Sequence, residues 1–323
     1  MSNDERYDLL YRLGQGAWRQ QNPVMVVGAA VLDMVVKANA LPVRGGDLAV
    51  QLQGYHLGGC ALNIAVALKR LGIASHNLLP LGQGPWAERL RVEMAQRGVH
   101  SALEVGGQDN GWCMALVEPD GERTFISIDG VENQWRLAWL PATVEGLLYL
   151  SGYQLSGKQG AVLVDWMLGL PPQVRIVLDL GPRIDVMEPA LLQRLIRPGV
   201  ILTINQREAQ HLGLQHDLAA FSRQQWQITR QPVIVRCGSE GCYYYAQDDD
   251  HGWVAACKVK VADSIGAGDS HCAGVLAGLA LGLTTRQAIL LANSVAGYVV
   301  AQPGGSNAPT LAQMLASEGI SLR

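Results

Sequence analysis

Between residues 147 and 236 the sequence repeats one pattern: a short, nearly continuous apolar run followed by a stretch with helical periodicity. The runs lie at 147–150, 176–180, 200–204 and 233–236, and helical segments near 159–169, 188–196, 206–212 and 217–229 fill the intervals. A strand that is apolar at every position, rather than at alternate ones, is covered on both faces. Parallel strands need long crossovers, which the helices supply. The pattern therefore predicts an α/β fold, a three-layer αβα sandwich around a mostly parallel sheet.

The N-terminal half is less regular. Residues 24–33 (VMVVGAAVLD) read as one buried strand, preceded by a polar lead-in at 1–22 with a short helix around 8–13. Residues 34–57 alternate loosely and carry Pro42, Gly45 and Gly46, which suits short exposed strands. Ala61, Ile64, Ala65, Leu68 and Leu71 fall on one helical face, and Gly72 follows as a stop. A strand at 78–81 and a helix at 85–97 come next, the latter with Pro85 near its first turn. Residues 112–117 and 123–128 flank the turn Pro119-Asp120-Gly121-Glu122 and read as a hairpin. Two long helices, 268–281 and 285–300, precede a short C-terminal one. The expected organisation is a lead-in at 1–22 and one domain at 23–323. A small β element comes from about 34–57 and 111–130.

Hydrophobic residues make up 49% of the 323-residue chain and charged residues 16%, so a sizeable core is available and disorder is not expected. The net charge of −3 gives no electrostatic footprint for nucleic acid or an anionic membrane. No stretch approaches the roughly 20 apolar residues of a membrane span. The start, MSNDERYDLL, is acidic where a signal peptide is basic and apolar. The six cysteines form no C-x-x-C pair and no zinc spacing with histidine, and read as small buried residues of a reducing compartment. A cytoplasmic protein is expected.

Chemistry concentrates in Asp263-Ser264-Ile265-Gly266-Ala267-Gly268-Asp269-Ser270, which is expected to follow a strand at 257–261 and to open a helix. Glycines let the backbone turn tightly and aim several N–H groups at one point, and the helix dipole adds positive potential there. Such a site holds phosphate oxygens. Asp269 inside it is repulsive to phosphate unless it accepts the proton of an attacking hydroxyl. An ordinary helix cap explains Asp and Gly at this spacing equally well. Two other glycine motifs fail. Gly152-Tyr153-Gln154-Leu155-Ser156-Gly157-Lys158 fits a P-loop until Gln159 takes the place of the Mg²⁺-binding hydroxyl, and Gly28-Ala29-Ala30 lacks the dinucleotide-binding G-x-G-x-x-G.

With Gly58-Gly59-Cys60-Ala61-Leu62-Asn63-Ile64-Ala65 some 200 residues upstream, the segment DSIGAGDSHCAGVL makes the chain resemble the ribokinase (PfkB) family of carbohydrate kinases. The resemblance covers nearly everything after residue 24 and implies a ribokinase-like fold with a small β-sheet lid over the substrate. It implies ATP and Mg²⁺ as cofactors, Asp269 as catalytic base, and Gly266, Ala267 and Gly268 as donors of an anion hole. Asp33, Gly59, Asn63 and, from the lid, Arg123 fall where the family binds substrate hydroxyls. Asn205 and Glu208 match an N-x-x-E motif near Mg²⁺ and the phosphates. Gly238 and Gly241 match a nucleotide loop, and Asn293 an adenine-pocket position. Asp263, the Ile265 carbonyl and Gly304 correspond to a monovalent-cation site for K⁺. The lid is also implied as a homodimer interface.

This sequence departs from the family pattern at Ala308, where a hydroxyl is expected near the cation, with Ser306 or Asn307 as substitutes. It departs again at Gly181 in Asp179-Leu180-Gly181-Pro182-Arg183, where Asn is frequent. Outside the resemblance, residue chemistry leaves Glu208 open as a first-turn acid and Arg123 as a solvated strand-end residue. Three functions follow: a sugar kinase, a nucleoside kinase of the same fold, and a catalytically silent ligand-binding protein. The intact Asp269 and glycine segment argue against the third. Few aromatic residues near the lid (Tyr55, Trp112 and Phe125) and no basic cluster among Lys37, Arg44 and Arg123 favour an unphosphorylated sugar.

Overall fold

The computed structural model describes residues 2–302 and 307–322. Its centre is an eight-stranded sheet in the order β12-β11-β10-β9-β8-β7-β1-β4. The six strands β1 (Val24–Val27), β4 (His76–Leu78), β7 (Leu147–Ser151), β8 (Arg175–Asp179), β9 (Val200–Asn205) and β10 (Val233–Arg236) run parallel. An antiparallel hairpin, β11 (Cys242–Gln247) and β12 (Asp250–Val254), closes one edge.

The unbroken apolar runs divide by alternation between two cores. Leu147, Tyr149, Val177, Ile201 and Ile234 face one side, with α2 (Cys60–Arg70), α9 (Ala267–Ala280) and α10 (Thr285–Val300). Leu148, Leu150, Ile176, Leu178, Leu202 and Val235 face the other, with α5 (Gly160–Gly169), α6 (Pro189–Leu195), α7 (Gln206–His211) and α8 (Leu218–Thr229). This is the expected three-layer αβα sandwich.

A second sheet of four strands, β3-β2-β5-β6, forms the lid. It comprises β2 (Val31–Lys37), β3 (Gln51–Gly58), β5 (Trp112–Val117) and β6 (Arg123–Ile128). The expected single strand at 24–33 is therefore two. The chain breaks at 28–30 and passes from the main sheet into the lid, so Asp33 lies inside β2 rather than ending the first strand. Leu32 and Leu57 tie the base of the lid to the main core. On the same face, Trp112 stacks on Trp86 of α3 (Pro85–Gln96) with centroids 5.3 Å apart, Tyr55 lies 6.0 Å from Trp86, and Arg89 covers Tyr55 at 4.3 Å.

Other differences have local causes. Residues 257–261 are irregular rather than a strand, because β12 ends at Val254 and the chain leaves the sheet there. The strand expected at 78–81 is β4, ending at Leu78. The hairpin β11–β12 escaped the periodicity reading because Cys242, Tyr243, Tyr244 and Tyr245 are all buried and show no alternation. The helix expected at 8–13 is α1 (Ser2–Gly14), whose Leu9, Leu10 and Leu13 enter the main core. Its Glu5 pairs with Arg286 of α10 at 2.8 Å, and Arg6 pairs with Glu318, just after α11 (Leu311–Ser317), at 3.3 Å. The six cysteines are free thiols, but only Cys242 and Cys272 are buried; the other four are half-buried. Among the described residues no helix is long and apolar enough to cross a membrane.

Candidate active site

Parallel α/β sheets place ligands outside the carboxyl ends of their strands. Here Ser151, Asp179, Asn205 and Arg236 end β7, β8, β9 and β10, and all four line a cleft of about 840 Å³. The first turn of α9 forms the opposite wall with Gly266, Ala267, Gly268 and Asp269. A cavity of this size accommodates a nucleotide-sized ligand.

Gly266 caps α9 in the left-handed region (φ 70°), which a side chain disfavours. No side chain caps this 14-residue helix; the Ala267 N–H donates to the Ser264 carbonyl at 3.3 Å, and the amides of Gly266 and Gly268 remain for a ligand. Asp263 sets the approach, its Oδ1 accepting from the Ile265 N–H at 3.0 Å. Asp269 stands in the first turn, and its Oδ2 accepts from Asn63 Nδ2 at 2.8 Å. Burial raises its pKa above the usual carboxylate value. The Asn63 bond opposes that shift, the negative Asp179 adds to it, and a hydrogen bond from the Cys60 thiol opposes it again.

Asp33, Gly59 and Asn63, expected on the substrate side, are not among the residues that line this cleft, and Asn63 alone of the three bonds to Asp269. Asp33 pairs in register with His56 and Cys113 on the lid face opposite the Trp86 cluster. Its carboxylate packs against Gly58, where a Cβ would lie 2.4 Å from Oδ2. Gly59, with φ 95°, starts α2, and a Cβ there would lie 2.5 Å from the Ala29 carbonyl. Asn63 follows one turn later, its Oδ1 buried with no partner. Burial raises the Asp33 pKa to about 6.

Asn205 and Glu208 form a capping box on α7. The Glu208 N–H donates to Asn205 Oδ1 at 2.9 Å, and the Asn205 N–H donates to Glu208 Oε2 at 3.0 Å. The helix-start role open to Glu208 is thus realised, and both residues also line the cleft. Arg236 Nη2 reaches Asp179 Oδ1 at 3.1 Å and Glu208 Oε2 at 3.7 Å. Burial raises the Glu208 pKa, and Arg236 partly offsets this. The oxygens of Asp179, Asn205 and Glu208 suit Mg²⁺, which takes few protein ligands and keeps several waters. No group of three or more His, Cys, Asp or Glu among the described residues is placed to hold a metal. Asp179, Asn205 and Glu208 would hold Mg²⁺ only together with its waters and phosphate.

At the far end of the cleft, Gly238 and Gly241 bound the turn between β10 and β11. Asn293 lines this end, but its amide nitrogen donates to the Val254 and Ala255 carbonyls at 3.3 and 3.0 Å, pinning the chain that leaves β12. Beside it, His271 lies 3.1 Å from Cys242 Sγ, and burial, with the Arg236 charge, lowers its pKa to about 3.

Gly304 lies outside the described residues, as does Ser306, so the loop expected to hold a cation is seen only in part. The Ala308 carbonyl accepts from Arg70 Nε. Arg123 opens β6 opposite Val117, four residues along β5 from the Cys113 that pairs with Asp33. That is roughly 13 Å along the strand. The position of the Arg123 side chain is outside the described atoms. Tyr153, in the P-loop-like stretch, lines the cleft with Arg183 stacked on it at 5.3 Å, and Lys158 is exposed.

Sequence reasoning missed Cys60, whose thiol meets Asp269, and Arg236. Cys60 sits inside the Gly58–Asn63 motif, and Arg236 opens the nucleotide-loop motif. Position in those motifs was the available signal.

The pfkB family carbohydrate kinase model matches residues 21–311. The chain belongs to that family of kinases. It is 48% identical over 299 residues to the uncharacterized sugar kinase YegV of Escherichia coli K12, covering 90% of this chain and 92% of that one. Among solved structures it resembles the ribokinase of Thermotoga maritima, with a TM-score of 0.78 at 17% identity over 92% of this chain and 99% of that one. The nucleoside kinase of Methanocaldococcus jannaschii gives a TM-score of 0.74 at 19% identity over 93% and 99%.

Proposed function

We propose that this kinase transfers the γ-phosphoryl group of ATP to a hydroxyl of an unphosphorylated sugar or sugar-like substrate. The observation that carries this reading is Asp269. It stands in the uncapped first turn of α9, and its carboxylate is held by Asn63 at 2.8 Å. Asp33 accepts hydrogen bonds from substrate hydroxyls, Asn63 Oδ1 accepts another, and Gly59 lets the substrate near the backbone. Asp269 takes the proton of the attacking hydroxyl, and the amides of 266–268 receive the transferring phosphoryl group. The nucleotide lies along Asn205, Glu208, Gly238, Gly241 and Asn293. Mg²⁺ supplies neutralisation of the phosphate charge when bound. Asp263 and the Ile265 carbonyl, with Gly304, are the proposed K⁺ ligands.

A sugar is favoured over a nucleoside by the lid. The rings of Tyr55 and Trp112 point away from Asp33 and are occupied with Trp86 and Arg89, which leaves Phe125, paired with Ala115, as the one of these three lid aromatics on the Asp33 side, too few to sandwich a nucleobase. The residues paired with Asp33 are His56 and Cys113.

The test is an ADP-release screen over sugars, sugar acids and nucleosides, beside Asp269→Asn. The variant is expected to lose turnover by about 10²- to 10⁴-fold while still binding ATP, because only the base is removed. Full activity in the variant would refute the role of Asp269, and a nucleoside as sole substrate would refute the sugar assignment.

A further inference from the structure

Arg236 ends β10, in register with Asn205 on β9, and its side chain is 12% exposed. Its guanidinium is used on one edge only. Nη2 is committed to Asp179 and Glu208. Nη1 has the Cys272 sulfur at 3.7 Å, a weak acceptor, and Nε is buried without a partner. A guanidinium carries five N–H donors in a rigid fork, so part of this fork is unspent in a site built to receive anions.

The unspent edge faces the first turn of α9. A Cβ on Gly268 would lie 2.9 Å from Nη1, so a side chain there would crowd the guanidinium. Three carboxylates, Asp179, Glu208 and Asp269, line the same cleft, and phosphate entering it meets their negative charge. Burial acts against the charge on Arg236. The neighbouring acids outweigh burial and hold the group protonated.

Resting on the kinase reading above, we propose that Arg236 is a catalytic residue whose Nη1 donates to an oxygen of the transferring phosphoryl group, completing the anion hole with a fixed cation. In the reaction, the substrate hydroxyl oxygen bonds to the γ-phosphorus as the bond to the β–γ bridging oxygen breaks. The hydroxyl proton passes to Asp269, and ADP leaves with the bridging oxygen. Arg236 keeps its protons throughout. It stabilises charge on the oxygens that move, while Asp179 and Glu208 hold it in place.

The experiment compares calorimetric binding of Mg²⁺–ADP and Mg²⁺–AMP-PNP, a non-hydrolysable ATP analogue, to wild type, Arg236→Gln and Arg236→Lys. A contact to the third phosphate predicts that Arg236→Gln weakens AMP-PNP by about 10- to 100-fold while ADP binding is little changed. Arg236→Lys keeps a cation beside Asp179 but lacks the fork, and is expected to lose AMP-PNP affinity to a smaller extent. It decides the matter alone if the Gln variant does not fold. Equal weakening of both nucleotides, or of neither, in a folded variant overturns the role of Arg236. Wild-type protein that binds neither nucleotide overturns the kinase reading itself.

Discussion

Asp33 shows how one buried carboxyl couples stability to pH. An unfolded Asp releases its proton near pH 3.8, whereas burial holds the folded carboxyl neutral up to about pH 6. Between these values the folded state binds more protons, so the contribution is fully present below about pH 4 and is lost as pH rises through 6. Asp33→Asn removes the cost of the buried charge. Urea unfolding is expected to find the variant more stable than wild type by up to about 2 kcal/mol at pH 8, with the difference vanishing near pH 4. A variant no more stable at pH 8 would contradict the raised pKa. Asp269, Gly266, Asn205 and Glu208, which all line the cleft, were legible as candidates because each sits in a short local motif. The bonds from Asn63 and Cys60 to Asp269 were not legible, since they join residues some 200 positions apart.

The N-terminal helix matters more than its polar composition suggests. Leu9, Leu10 and Leu13 are buried, and Arg6 and Glu5 tie α1 to Glu318 and Arg286. Arg6 also donates to Cys257 Sγ at 2.9 Å, and Cys257 lines the cleft. Burying three leucines contributes about 5 kcal/mol. Removal of residues 2–14 is therefore expected to lower the unfolding free energy by about that amount, read from denaturant midpoints; an unchanged midpoint would show α1 to be dispensable. The helix was only partly foreseen because its apolar residues are few, and its stability comes from the surface it covers. The break at 28–30 was missed for a related reason. VMVVGAAVLD is apolar throughout, and periodicity cannot tell one buried strand from two that enter different sheets.

At the scale of the molecule, the lid leaves β6 as an edge strand with Phe125 56%, Ile126 46% and Ile128 47% exposed. An apolar edge is a pairing surface. The proposed partner is a second copy, lid to lid. Sedimentation velocity is expected to give a dimer for wild type and a monomer for Phe125→Asp, and a wild-type monomer would remove the proposal.

The αβα architecture followed from the sequence by itself, because a strand covered on both faces must be apolar at every position, and that is a local property. The glycine turn before Asp269 was equally local. Only the tertiary structure decided where the acid's partners lie. The crossovers of a parallel sheet carry Asp179, Asn205 and Arg236 to the same end of it, and strand pairing sets Asp33 against Gly58, just before α2. Which donors remain unspent at that edge, as on Arg236, depends on distances between strands that no single segment encodes.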